Sequence, residues 1–233
     1  MCAAIILGAA ACSVPAPQDN VAAPSPVPAP AGSSASAPVS EAEIKADTAV
    51  AELLKAEDYD SAIGEARAAL EAGPTESLRE KLAGAYMARA WYYKAKRLTT
   101  YTLKDLLSAQ EAAPDYYRVY YDLGRFYNNQ MMQSTGVLEL ARCIKLKPDF
   151  APAYNEKSAC ESRIYRWQAA LDDAAKAVQL DPSEAVYYYT RSLALRGLKQ
   201  DKEAAADLEM VLKLSKDAAL TDKAGADLKA LGK

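Results

Sequence analysis

Cys143 and Cys160 are the residues whose chemistry asks for an explanation first. A cysteine performs nucleophilic catalysis when a neighbouring base or cation lowers its pKa, and holds a metal when His or a second cysteine pair completes the ligand set. The chain contains no histidine. That absence removes His general acid/base catalysis, Ser-His and Cys-His nucleophile pairs and His-ligated metals together. No Gly-rich phosphate loop and no second cysteine pair at metal spacing accompanies the two thiols. They are therefore read either as buried thiols packing as small apolar groups or, in an exported protein, as a disulfide. No catalytic residue, cofactor or metal is expected. A net charge of −3 argues against a nucleic-acid partner held by phosphate contacts.

The elements that carry these residues repeat. Ala and Leu dominate the composition, with two Phe and ten Gly in 233 residues, which favours helix over sheet. Residues 117–218 fall without a gap into three rows of 34, beginning YRVYYDLGRFYNNQ, APAYNEKSACESRI and AVYYYTRSLALRGL. Place 4 of the rows is Tyr120, Tyr154 and Tyr188; place 8 is Gly124, Ser158 and Ser192; place 20 is Gly136, Ala170 and Ala204. Counting outward gives five units, 43–76, 77–116, 117–150, 151–184 and 185–218, followed by a capping helix at 219–232. Pro74, Pro114, Pro148 and Pro182 share place 32, where a proline stops one helix and suits the turn into the next. The second unit holds six additional residues, Ser77–Leu82, which predict a first helix lengthened at its start. The β-branched stretch from Leu98 to Thr102 is expected to mark the turn between that unit's two helices. Ser40 and Glu43 make a capping box ahead of the first helix.

These spacings resemble the tetratricopeptide repeat (TPR), a helix–turn–helix unit of about 34 residues with large residues at places 4 and 11, small ones at 8, 20 and 27, and proline at 32. The resemblance implies an all-α fold, a right-handed superhelical solenoid of about five such units with a C-terminal capping helix. Small residues at places 8 and 20 let the two helices of a unit approach closely, and the tyrosines at place 4 fill the wider gap to the neighbouring unit. Glu161 departs from the pattern at place 11, where an apolar residue is usual. Arg89, Lys157 and Arg191 at place 7 are read as long stems that cover core while their charges reach water. Trp91 and Trp167 fall near helix turns, and core packing is the preferred role for Trp167.

In the family, a concave groove lined by the first helix of each unit binds ligands mainly through places 2, 5, 9, 12 and 13. Carried onto this sequence, the resemblance implies Arg118, Tyr121, Arg125, Asn128 and Asn129 in the third unit, Asn155, Ser162 and Arg163 in the fourth, and Tyr189 and Arg196 in the fifth. The arginines would form a basic stripe for carboxylates, and the asparagines would hold a peptide backbone. The implied function is a non-catalytic protein–protein interaction scaffold for a peptide or protein partner with acidic groups; a solvated face with no fixed ligand is the alternative. The Lys and Asn pattern of the chaperone-binding carboxylate clamp is absent.

The N-terminus suggests where such a scaffold works. Residues 1–12, MCAAIILGAAAC, combine a short apolar run with Ala9-Ala10-Ala11 before Cys12. This resembles a bacterial lipoprotein signal with Cys12 as the lipidated residue, although no Lys or Arg precedes the run and Ala9 stands where Leu is usual. A plain secretory signal is the alternative. Residues 13–40 hold seven of the twelve prolines and a single charge, Asp19, the composition of a disordered tether. At about 3.1 Å per residue its reach is at most roughly 85 Å. The layout implies a lipid anchor in the cell envelope, facing the periplasm, with the repeats at 41–233 held away from the membrane as in envelope-complex or pilus assembly. A soluble cytoplasmic adaptor or chaperone is the second expectation.

Overall fold

The structure, a computed structural model, describes residues 41–232. Cys12, the 13–40 segment and Ser40 lie outside the described residues. Eleven helices, and no strand, make up the described residues: α1 Glu41–Lys55, α2 Tyr59–Ala72, α3 Glu76–Ala95, α4 Thr99–Ala112, α5 Tyr117–Asn129, α6 Gln133–Leu146, α7 Ala151–Arg163, α8 Trp167–Leu180, α9 Ala185–Gly197, α10 Asp201–Leu214 and α11 Ala218–Ala230. None of these helices is long and apolar enough to cross a membrane. The class is all-α, as the repeat predicts. Consecutive helices pack as antiparallel hairpins, and the first helices of neighbouring hairpins also touch, α3 on α5, α5 on α7 and α7 on α9.

The close approach within a hairpin falls where the small residues are. In the third unit Gly124 and Gly136 are both buried, and a Cβ on Gly136 would lie 3.1 Å from the Gly124 carbonyl oxygen. In the fourth, Ser158 Oγ donates to the Ala170 carbonyl at 2.7 Å, so place 8 meets place 20 again. The place-4 tyrosines fill the gap between hairpins and also bond across it. Tyr120, Tyr154 and Tyr188 donate their hydroxyls to the carbonyls of Pro114, Pro148 and Pro182, at 2.6, 3.1 and 3.1 Å. Tyr86 differs, its hydroxyl accepting from Arg67 at 2.5 Å.

Each first helix ends in one recurring turn. In the third unit Met131 N–H donates to the Asn128 carbonyl and Met132 N–H to the Tyr127 carbonyl, the paired bonds of a Schellman stop. Equivalent pairs recur in the other four units. The residue at the stop, Glu57, Arg97, Met131, Tyr165 or Lys199, has φ between 59° and 61°.

Helix α3 runs for 20 residues against 13 for α5, and the excess lies at its start, where Leu78 and Leu82 are buried. Thr75 caps it by accepting from Leu78 N–H and donates its own hydroxyl to Glu43 on α1, both at 3.2 Å. The 98–102 stretch does not form the turn. Leu98 is the N-cap and Thr99–Thr102 open α4. At a helix start there is no preceding turn for a β-branched side chain to crowd, and Thr102 Oγ1 donates back to the Leu98 carbonyl at 3.0 Å.

The cations at place 7 do not simply reach water. Arg89, Lys157 and Arg191 meet Asp105, Asp173 and Asp207, each sixteen residues on, at place 23 of the second helix. Arg191 binds Asp207 through two parallel bonds, Nε–Oδ2 at 2.8 Å and Nη2–Oδ1 at 2.6 Å. The Asp207 side chain is 7% exposed and that of Arg191 25%. Replacing Arg191 by Leu strands a nearly buried carboxylate and should destabilise the fold by about 2 kcal/mol, a value reduced for the solvent that reaches the pair. The Arg191→Leu/Asp207→Leu double variant should recover most of that loss in chemical denaturation, because no charge is then left unpaired. Additive losses would show that the pair is not a unit.

Candidate peptide-binding face

The first helices present one continuous face, and the arginines expected on it are engaged in different ways. Arg118 is exposed, donates to Tyr117 Oη at 3.2 Å and lies 5.9 Å from that ring. Arg125 lies 5.0 Å from the Trp91 ring and 5.4 Å from the Tyr121 ring, with Glu156 at 3.6 Å. Arg163 reaches back to α5 and donates to both the carbonyl and Oδ1 of buried Asn128, at 3.2 and 2.9 Å. Arg196 pairs with Asp227 of α11 at 2.7 Å, and Tyr189 donates its hydroxyl to the same carboxylate at 3.2 Å. The expected stripe is therefore broken. Asn128 and Arg163 bind each other across the hairpin boundary, and Tyr189 and Arg196 are taken up by the capping helix.

The remaining expected residues sit nearer the centre of the face. Tyr121 stands edge-on to Phe150 at 5.1 Å, and burial pushes its hydroxyl up to about 12. Asn129 is exposed at the end of α5. Asn155 and Ser162 are half-buried, and the Asn155 Oδ1 and Ser162 Oγ atoms are enclosed without a hydrogen-bond partner. Unsatisfied polar atoms of this kind invite a water or a ligand group.

Four residues outside the expected set complete the cluster. Trp91, on α3, is 36% exposed and donates Nε1–H to Asp122 Oδ2 at 3.1 Å. Lys94 lies 4.0 Å over the Trp91 ring, on which Arg125 also bears. Burial pushes the Asp122 carboxyl up to about 6 against the opposing pull of the Trp91 N–H, Arg125 and Lys94. Burial, and then the Arg125 charge, lower the Lys94 ammonium. A cavity of about 10 Å³ lies between Trp91, Lys94, Asp122 and Phe126, room for about one water. Glu156 closes the other side through Arg125. Trp91 and Lys94 occupy places 9 and 12 of the second unit, so carrying the groove register one unit further toward the N-terminus would have found them.

Cys143 and Cys160 stand apart from this face as free, buried thiols. Burial pushes both up to about 12, so neither supplies a thiolate near neutrality.

No family model matches the chain. The mouse (Mus musculus) protein named sperm-associated antigen 1 is 31% identical over 98 residues, which are 42% of this chain and 10% of that protein. Its rat (Rattus norvegicus) counterpart is 30% identical over 98 residues, 42% of this chain and 11% of that protein. The chain thus spans about a tenth of the length of these curated relatives. Among solved structures, YrrB, described as a TPR protein with an unusual peptide-binding site, aligns with a TM-score of 0.58 at 16% identity over 76% of this chain and 88% of its own. MamA aligns with a TM-score of 0.57 at 19% identity over 77% of this chain and 94% of its own. The chain has the tetratricopeptide-repeat fold. In this tetratricopeptide array the cluster of Trp91, Lys94, Tyr121 and Arg125 joins the first helices of the second and third hairpins, and Glu156 adds the fourth.

Proposed function

We propose that this chain is a non-catalytic interaction scaffold that holds an acidic segment of a protein partner on the face formed by α3, α5 and α7. The cluster around Trp91 carries the reading. Two cations bear on one partly exposed indole, and a carboxylate on the partner would relieve their mutual repulsion. Trp91 and Tyr121 supply contact area at low conformational cost. In the same proposal the N-terminal sequence anchors the scaffold in the cell envelope through a lipid on Cys12, facing the periplasm, with residues 13–40 as the tether.

The face is tested by titrating short Asp/Glu-rich and Lys/Arg-rich peptides while reading tryptophan fluorescence. The acidic peptide should bind, and Lys94→Glu/Arg125→Glu should weaken it about tenfold or more. Arg142→Glu, on α6, serves as the control and should bind like the parent. Equal binding of the two peptides, or indifference to the double reversal, would overturn the reading. The anchor is tested by the mass of the mature N-terminus together with membrane fractionation. An unprocessed soluble chain would point instead to a cytoplasmic adaptor.

A further inference from the structure

In the second, third and fourth units the two ends of the hairpins are chemically opposite, whereas the turns of the first and fifth also carry carboxylates, Glu57 and Asp58 in one and Asp201 and Glu203 in the other. The proline turns, 113–117, 147–151 and 181–185, carry Asp115, Asp149, Asp181 and Glu184 against one cation, Lys147. At the other end, residues 94–101, 129–135 and 163–169 surround the Schellman turns of the second, third and fourth units. They carry Lys94, Lys96, Arg97, Arg163 and Arg166 and no carboxylate. The chain as a whole is at −3, so this end opposes the net charge.

The same turns expose large apolar side chains. Tyr165 is 78% exposed, Met131 74%, Tyr101 56%, Met132 49% and Leu98 40%. Two of these side chains are carried at a conformational cost. Met131 and Tyr165 have φ of 61° and 60°, a region that disfavours bulky residues and suits glycine, yet none of the ten glycines is placed at any of the five stops. The turns are also joined into one edge. Arg163 bonds Asn128 between the ends of α7 and α5, and Trp167, which stands edge-on to Tyr165 at 5.6 Å, packs on Gly197 at the end of α9.

We infer that this edge docks on an anionic lipid bilayer. Tyrosine, methionine and leucine tips ringed by Lys and Arg match an acyl boundary beneath anionic headgroups. The side chains stand on separate turns, an arrangement suited to a deformable surface, whereas a protein interface requires a contiguous packed core with anchors in pockets. The acidic turn of the first unit, Glu57-Asp58, bounds the edge on one side. Lys94 and Arg163 belong to both surfaces, but Arg97 and Arg166 lie on this edge alone, so the contact is tested apart from the peptide-binding face and from a lipid on Cys12.

The test uses the full chain with Cys2→Ala and Cys12→Ala, so that no lipid is attached and only the buried thiols remain. Sedimentation with phosphatidylglycerol vesicles should show binding that is weak on phosphatidylcholine. Arg97→Gln/Arg166→Gln should weaken it about 25-fold, from about fivefold for each charge near the surface. Lys147→Gln/Lys216→Gln, at the proline-turn end, should change it little. Met131→Gly/Tyr165→Gly should also weaken binding while melting no lower than the parent, because glycine accepts the left-handed turn. A nitroxide on Met131→Cys should gain access to lipid-dissolved oxygen on phosphatidylglycerol vesicles, and one on Lys147→Cys should not. Equal losses in the two Gln pairs would mean that net charge alone acts, and equal accessibility at the two labels would mean that this edge does not face lipid; either result overturns the inference. So would self-association that is lost in the glycine variant without any vesicle binding, which would assign the edge to a second copy of the chain.

Discussion

A chain carrying Gly124→Val is expected to lose about 3 kcal/mol of stability, read as a lowered urea midpoint. A Cβ at Gly124 would lie 2.4 Å from Cγ of Leu140, 2.9 Å from Cδ2 and 3.1 Å from Cδ1. Leu140 is completely buried, and the atom struck hardest is its branch point rather than a mobile tip. Relief by moving α6 away would break the contact at Gly136, whose own Cβ would already lie 3.1 Å from the Gly124 carbonyl and 3.2 Å from Cys160 Sγ. Overpacking of this kind outweighs the helix propensity gained by removing a glycine, about 1 kcal/mol at most. Pairing Gly124→Val with Leu140→Ala should recover part of the loss. Gly84, in α3, has nothing within 4 Å of its virtual Cβ, so Gly84→Ala should stabilise by about 0.5–1 kcal/mol. Equal effects at the two glycines would show that propensity, and not the helix crossing, governs Gly124.

The second large effect is one of pH. The Glu161 side chain is 5% exposed; Oε1 lies 3.3 Å from Lys157 Nζ and Oε2 has no hydrogen-bond partner. Lys157 is shared with Asp173. Burial, and then the neighbouring Asp173, push Glu161 from 4.5 up to about 7. Between those values the folded chain holds a proton that the unfolded chain has lost. The contribution of Glu161 is therefore fully present below about pH 4.5 and disappears as the pH rises through about 7. At about 1.4 kcal/mol per pH decade the interval is worth about 3 kcal/mol. Asp122, pushed from 3.8 to about 6 by burial, acts with the same sign in a lower window. Glu161→Gln should flatten the dependence between about pH 5 and pH 7 and raise stability at pH 8, while leaving the Lys157–Asp173 pair in place. Parallel stability profiles for the two chains would rule this out.

How much of this was legible depended on whether a residue's role is set by spacing or by what lies across a crossing. Gly124, Gly136, Ser158 and the place-4 tyrosines act through steric demands that recur with the 34-residue period, and a period is what a sequence displays. The lengthened α3 was legible for the same reason, since Ser77–Leu82 interrupt the count with good helix formers. Arg191 and Asp207 were not, because sixteen residues is no helical spacing; the two meet only once the hairpin closes. The partners of the expected basic stripe were not legible for the same reason: the counter-charges of Arg125 and Arg196, Glu156 and Asp227, come from other helices, the latter from the capping helix. Trp91 shows the same register, at place 9 of the second unit, one unit N-terminal to the residues of the expected face.

The tyrosine-to-proline bonds of α5, α7 and α9 have a mechanical consequence. Each is a single short strap from the start of one hairpin to the turn that ends the previous one, repeated at Tyr120, Tyr154 and Tyr188. Tension applied along the array therefore loads three similar fasteners in series. The boundary at Tyr86 lacks that strap and instead uses a side-chain bond from Arg67. Under such tension the first hairpin, fastened by a different bond from the one repeated at the three boundaries that follow, is expected to part from the array separately from the others.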